Sequence, residues 1–276
     1  MSIYTGYEYY TLTNKQLSAF YKDELDSNQF DLFENEYLII TDKKKEVIDY
    51  GIKKGDKIKK VPYTKLGDHQ TEIIKPRNPE QYCAFHMLKN SEAPVKVLTG
   101  KFGTGKSLSC IRAGLQLINE GKFDSITFVR NNVQVRDTDN IGALQGSLEN
   151  KFLPYLSPFI DHCGDESYVE ELTRKHILNV IPLAFLRGRS IRNSIIYSME
   201  SENLTKEHIQ LIMGRVDKGS ELWMDGDIKQ RDRQVFENSQ GLETMIDRLK
   251  GNPLFAYIDL KKNERSGVAS LADLLD

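Results

Sequence analysis

Apolar and polar positions alternate over residues 36 to 62 in three short runs: Tyr37-Leu38-Ile39-Ile40, Glu46-Val47-Ile48-Asp49-Tyr50-Gly51 and Asp56-Lys57-Ile58-Lys59-Lys60-Val61. Gly and Asp-Lys turns separate them, so the pattern predicts a small antiparallel β module. Ahead of it, Lys15 to Tyr21 reads as a helix capped from Thr13-Asn14. Farther along, the period lengthens. Asn78 is placed to cap a helix with Pro79 in its first turn, running from Glu80 to Lys89. Val95, Val97 and Leu98 then predict a buried strand, and Leu108, Ile111, Leu115 and Ile118 a helix. Core strands are predicted at Ile126 to Arg130, Ile195 to Ser198, Leu222 to Asp225 and Phe255 to Leu260. Helices are predicted over Glu207 to Val216 and from Leu271 onward.

The junction between the strand at Val95 and the helix at Leu108 reads Gly100-Lys-Phe-Gly103-Thr104-Gly105-Lys106-Ser107-Leu108, the pattern G-x-x-x-x-G-K-S. A strand-to-helix turn is the context in which this motif binds phosphate. Its glycines let successive N–H groups and the helix start face one anion. Lys106 supplies a point charge for β/γ-phosphate and Ser107 a hydroxyl for Mg²⁺. ATP and Mg²⁺ are therefore the expected cofactors, with Gly100, Gly103, Thr104, Gly105, Lys106, Ser107 and Leu108 around the nucleotide. Gln81, shortly upstream, is either an adenine-reading amide, as in helicase-like NTPases, or a solvent-facing helix residue.

Composition narrows the class. A formal net charge of −2 and 28% charged residues in 276 describe an ordinary globular chain, with room for one large domain or two smaller ones. Cys83, Cys110 and Cys163 are widely spaced, which suggests neither disulfides nor zinc and fits a reducing cytoplasm. The N-terminal residues lack a signal-peptide pattern and no apolar run is long enough to span a bilayer, so no membrane association is expected. Lysines 43, 44, 45, 53, 54, 57, 59 and 60 make the β module basic, as a solvated face or as phosphate-backbone contacts. Tyr4, Tyr7, Tyr9, Tyr10, Phe20, Tyr21 and Phe30 either fill a small core or offer a stacking platform for single strands.

Five separated motifs resemble the PhoH-like ATPases: Lys75-Pro76-Arg77-Asn78-x-Glu80-Gln81, the loop at 100–107, Pro182-Leu-Ala-Phe-Leu-Arg-Gly-Arg189, Gly226-Asp227-x-x-Gln230 and Glu264-Arg265-Ser266-Gly267-Val268. The resemblance covers residues 73 to 276. It implies a RecA-like α/β core, a parallel sheet flanked by helices and related to superfamily 1 helicases. It also implies ATP hydrolysis and a homo-oligomer, frequently a hexameric ring, acting on RNA or single-stranded DNA. Residues 1–72 resemble the linker preceding the ATPase core in PIN–PhoH proteins. Under this resemblance Gln81 reads adenine. Gln230 senses γ-phosphate, Asp227 accepts from a metal-bound water, and Arg265 reaches the γ-phosphate. Arg130 and Arg136 are candidates for nucleic-acid or inter-subunit contacts. Arg187, Arg189 and Arg192 crowd one loop, where one of them acts as an arginine finger on a neighbour's nucleotide or all pair with local carboxylates.

One motif departs from the family. The strand Ile195 to Ser198 should lead to Asp-Glu-Ala-Gln-Asn, but the chain has Met199-Glu200-Ser201-Glu202-Asn203. Glu200 remains where a water-activating base is expected. The thioether of Met199 replaces the magnesium-positioning carboxylate and removes a hard oxygen. Three outcomes are open: Asp225 or Asp227 supplies the metal environment from the adjacent strand, hydrolysis is slow, or nucleotide is bound without turnover. The expected function is ATP binding with impaired hydrolysis in a ring on RNA or single-stranded DNA. The alternative is a nucleotide-gated oligomeric scaffold.

Overall fold

A computed structural model describes residues 4–67, 71–130, 156–228 and 240–264. The chain forms two compact units, the first from residues 1–66, 73–106 and 245–276 and the second from 67–72 and 107–244.

The first unit opens with β1 (Tyr7–Thr11), α1 (Asn14–Tyr21), β2 (Tyr37–Thr41), β3 (Val47–Lys54) and β4 (Lys57–Lys60). These strands form a four-stranded sheet in the order β1-β2-β3-β4. It is mixed and not purely antiparallel: β1 pairs with β2 in parallel, while β2/β3 and β3/β4 are antiparallel. The alternation pattern missed β1 because its tyrosines carry no clear two-residue period. The connection from β1 to β2 includes α1, long enough for a parallel crossover. Thr13 caps α1, and Gln16 completes a capping box. Phe20, Leu25, Phe30, Leu32, Leu38, Ile40 and Ile58 pack into one buried cluster. Each such side chain contributes roughly 1.5–3 kcal/mol of burial. Phe20, Phe30 and Tyr7 are core, whereas Tyr9 and Tyr21 remain exposed.

The same unit contains α2 (Pro79–Lys89), β5 (Val95–Gly100) and β10 (Phe255–Leu260), with β10 parallel to β5. The N-terminal sheet is stitched to these elements. Asn35 Nδ2 donates to the carbonyls of Pro253 and Phe255 at 2.9 Å each, and the Tyr37 hydroxyl bonds His86 Nδ1 at 2.8 Å. Tyr50 stacks on Tyr82 at 3.7 Å between ring centroids. Gly6 lies so close to β10 that a Cβ there would sit 1.7 Å from the Tyr257 carbonyl oxygen.

The second unit carries most of α3 (Lys106–Asn119), then β6 (Ser125–Arg130), α4 (Ser157–Cys163), α5 (Glu166–Arg174), β7 (Leu178–Pro182), β8 (Ser194–Ser198), α6 (Lys206–Met213) and β9 (Glu221–Gly226). Its strands are parallel, in the order β9-β8-β6-β7. Buried on both faces, they read as continuous apolar runs such as Ile195-Ile196-Tyr197. Gly114 brings α3 close to β6, since a Cβ would lie 3.0 Å from Ile126 Cδ1. Phe159 of α4 is buried edge-on against Phe128 at 5.2 Å. α6 stops at Met213, short of the expected Val216, because Gly214 takes the cap and the chain turns toward β9. α7 (Gly241–Leu249) returns the chain to the first unit. Six parallel strands with helical connections make the core a RecA-like α/β fold. Among the described residues no helix is long and apolar enough to cross a membrane.

Candidate nucleotide site

The phosphate loop leaves the carboxyl end of β5, where open α/β sheets place ligands, and runs into the first turn of α3. Gly100, Gly103 and Gly105 adopt φ of 148°, 76° and 90°, values that favour glycine. At Gly100 a Cβ would lie 2.2 Å from the Leu260 carbonyl oxygen, so β10 leaves room there for hydrogen alone. Lys106 Nζ donates to the carbonyls of Gly100 and Lys101 at 2.6 and 3.0 Å, closing the loop on its own cation. Thr104 is buried, and its hydroxyl donates to the Lys101 carbonyl at 2.9 Å. Phe102, by contrast, is 64% exposed.

Gln81 is neither solvent-facing nor idle. It is buried at the start of α2, accepts from the Arg77 N–H at 2.9 Å and donates through Nε2 to the Thr104 carbonyl at 3.0 Å. An amide has two donors and two lone pairs, so one of each remains for the edge of a base. Asn78 caps α2 through the Gln81 N–H and donates to Glu264 Oε1 at 2.8 Å. The Glu264 N–H donates in turn to the Gly103 carbonyl at 2.9 Å. The segment after β10 is thereby tied to both the loop and the α2 cap. The sequence placed Asn78 as the cap of α2 and Glu264 only as part of a resemblance, and the hydrogen bond between them gives both a bracing role.

The second constellation lies at the carboxyl ends of β8 and β9 and the start of α3. Ser107 Oγ donates to Asp225 Oδ2 at 2.7 Å, and the buried Tyr197 hydroxyl donates to the same oxygen at 2.7 Å. Asp225 Oδ1 accepts from the Glu200 N–H at 3.3 Å. Burial, and then the Asp225 carboxylate, raise the Tyr197 pKa, which keeps its hydroxyl a donor. Glu200 sits in the left-handed region at φ 51°, an uncommon conformation for a non-glycine residue. Its carboxylate is exposed and lies 3.8 Å from Arg130 Nη2. Met199 beside it is half-buried. Tyr197 was invisible to sequence reasoning because, within an apolar strand, it reads as core.

Glu202 accepts from the Asp227 N–H through Oε2 at 3.0 Å. Burial raises its pKa to about 8, against the lowering effect of that backbone bond. A Cβ on Gly226 would lie 2.4 Å from Glu202 Oε2, so any side chain there would displace that carboxylate. Asp227 is buried one residue beyond Gly226. In the loop after β7, Arg192 donates to Asp217 at 2.7 Å and Ser190 shares that carboxylate. Arg187 and Arg189 are exposed, and no ion pair engages them among the described residues. Gln230, Arg265 and Arg136 lie outside the described residues.

The donor set fits the groups that the motif implies. The glycine cradle admits backbone approach by phosphate, and a serine hydroxyl backed by a carboxylate offers the hard oxygens that magnesium takes. No cluster of three or more His, Cys, Asp or Glu able to hold a metal occurs among the described residues.

Comparison with known proteins agrees with this geometry. The family described as PhoH-like protein matches residues 73–272. Protein PhoH2 of Bacillus subtilis (strain 168) is 30% identical over 292 aligned residues, covering 99% of this chain and 64% of that protein. Protein PhoH2 of Mycolicibacterium smegmatis is 30% identical over 208 residues, covering 74% and 48%. The PhoH-like protein of Synechocystis sp. is 27% identical over 165 residues, covering 58% and 49%. The chain thus spans about half to just under two thirds of the length of these relatives. With a phosphate loop between β5 and α3, a RecA-like core and the matched span of residues 73–272, the chain belongs to the PhoH-like family of P-loop NTPases.

Proposed function

We propose that the chain binds ATP with Mg²⁺ and hydrolyses it slowly, as an oligomeric ring acting on RNA or single-stranded DNA. The observation that carries the nucleotide half is the loop itself, with glycines at φ 148°, 76° and 90° and Lys106 and Ser107 opening α3. In this reading residues 1–72 are a module appended to an ATPase domain of residues 73–276. Lys106 neutralises phosphate charge, and Ser107 holds the metal, which when bound would polarise the γ-phosphate. Gln81 positions the loop and offers its remaining donor and acceptor to adenine. Glu200 takes a proton from the attacking water, Gln230 orients that water, Asp227 accepts from the metal's water shell, and Arg265 contacts γ-phosphate. Arg187 or Arg189 of a neighbouring copy supplies the finger, because Arg192 is already engaged by Asp217.

The nucleic-acid half has less support than the lysine count suggests. Lys53 donates to the Leu32 carbonyl, Lys54 pairs with Glu92, Lys57 reaches the Asp23 carbonyl, Lys59 pairs with Asp23, and Lys60 with Asp49. Lys43, Lys44 and Lys45 lie in the turn between β2 and β3, where Asp42 accepts from the backbone N–H groups of Lys44 and Lys45, and they are the members of the set whose ammonium groups meet no acceptor among the described residues. That pairing favours a second reading, a nucleotide-gated scaffold in which ATP sets oligomer shape without strand movement.

Steady-state phosphate release with ATP and Mg²⁺, with and without single-stranded RNA, separates the two. The first reading expects turnover that Lys106→Ala abolishes and RNA stimulates, with RNA affinity falling by roughly 0.7 log units per phosphate contact for each log unit of salt. ATP binding without turnover, together with a flat salt dependence, selects the scaffold.

A further inference from the structure

We infer that the carboxylate that orients the magnesium-binding serine has moved in this chain from the end of β8 to the end of β9: Asp225 performs the role vacated at Met199. The inference rests on the nucleotide reading above and resolves which acid serves it.

Three bonds converge on Asp225, and each has a physical consequence. The Ser107 hydroxyl spends its proton on Oδ2 at 2.7 Å, so its lone pairs are left to face a cation. Tyr197 donates to the same oxygen at 2.7 Å from within the core. A buried carboxylate costs stability unless its lone pairs are occupied, and these two donors occupy Oδ2 and fix the direction of the group. The third bond links Oδ1 to the Glu200 N–H at 3.3 Å. It stabilises the left-handed turn that carries the water-activating carboxylate out of β8. Asp225 is 2% exposed and reaches Ser107, Tyr197 and Glu200 together, whereas Met199 brings a thioether, a poor ligand for a hard cation. β8 and β9 are adjacent and parallel, with Ser198 in register with Met224, so the residues that follow them, Met199 and Asp225, leave neighbouring strand ends side by side. An acid lost from one strand end is thereby supplied from the next. Asp227, with its N–H on Glu202, serves the neighbouring turn.

The test measures how Mg²⁺ changes the affinity for ATPγS by isothermal titration, a readout independent of turnover. Parent, Lys106→Ala, Met199→Asp, Asp225→Asn and the double Met199→Asp/Asp225→Asn are compared, with thermal melts to establish folding. Relocation predicts that Asp225→Asn lowers the Mg²⁺-dependent gain in affinity about tenfold or more while sparing Mg²⁺-free binding, in line with losing a charged group that orients a metal ligand. The double variant regains most of that loss. Met199→Asp alone stays within about twofold of the parent, because the position is already served. That single variant keeps the test decisive even if Asp225→Asn fails to fold. A several-fold gain in Mg²⁺ dependence from Met199→Asp alone overturns the inference, as does a folded Asp225→Asn with parental Mg²⁺ dependence. If the parent binds ATPγS no better than Lys106→Ala, the nucleotide reading itself falls and takes the inference with it.

Discussion

The phosphate loop and the acidic strand ends carry the two poles of the candidate chemistry, and they are built in opposite ways. The loop is consecutive in sequence, from Gly100 to Ser107, and its conformation rests on three glycines at positive φ, of which Gly100 has no room for a Cβ beside the Leu260 carbonyl. The acidic pole draws Ser107, Tyr197, Glu200, Glu202, Asp225 and Asp227 from α3, β8, β9 and the turns that follow these strands, and each of its bonds ends on a carboxylate side chain. A site made of backbone tolerates almost no change in residue type. One made of carboxylates on adjacent strand ends can pass a role from one strand to the next, because what matters is where the oxygen arrives and not which strand carries it.

The sharpest break in that contrast comes from the loop. Gly100→Ala forces a Cβ to 2.2 Å from the Leu260 carbonyl oxygen at φ 148°. Strain of about 1–3 kcal/mol from the backbone adds to overpacking of similar size. Urea melts should show a loss of roughly 3 kcal/mol or more, with nucleotide binding lost as well. A parental midpoint would mean that the loop is less constrained than its glycines indicate.

Gln81→Ala should come next. It leaves the Arg77 N–H and the Thr104 carbonyl without the side chain that joins them, at about 1–3 kcal/mol. Titration with ATP and GTP divides its roles. Equal loss for both nucleotides marks Gln81 as a brace, whereas a loss confined to ATP marks it as a reader of the base.

The smallest effect, and the one that probes the acidic pole, depends on pH. Burial raises the Glu202 pKa to about 8, above its ordinary carboxylate value of 4.5. The folded chain therefore binds more protons than the unfolded one between these two values. Stability from this group is full below pH 4.5 and is lost as pH rises through about 8. Glu202→Gln, which restores the family's amide, should match the parent near pH 5 and be the more stable of the two at pH 8.5. Thermal melts at both values check this, and a pH-independent difference would show that Glu202 is not protonated in the fold.

Local signals were legible where one residue type has one use. Thr13-Asn14 announced the start of α1, Asn78-Pro79 the start of α2, and the G-x-x-x-x-G-K-S spacing the β5–α3 turn. β1 escaped notice because its partner β2 lies far along the chain and its tyrosines divide between core and surface. The eight lysines of the N-terminal module left a solvated face and a phosphate-binding one both open, and five of them are held by nearby oxygens. Charge is written in the sequence; pairing is not.

The sequence by itself determined the phosphate loop, five of the six core strands with α2, α3 and α6, and the departure at Met199, because each depends on residues close together in the chain, whereas β7, α4, α5 and α7 carried no pattern that was read. Only the tertiary structure decided that Gln81 braces Thr104, that Arg192 is taken by Asp217 while Arg187 and Arg189 stay exposed, and that Asp225 and not Asp227 receives the Ser107 hydroxyl. These are matters of direction, fixed where strands far apart in sequence run parallel and end side by side, and a linear pattern carries no information about which of two nearby carboxylates turns toward the serine in the first turn of α3.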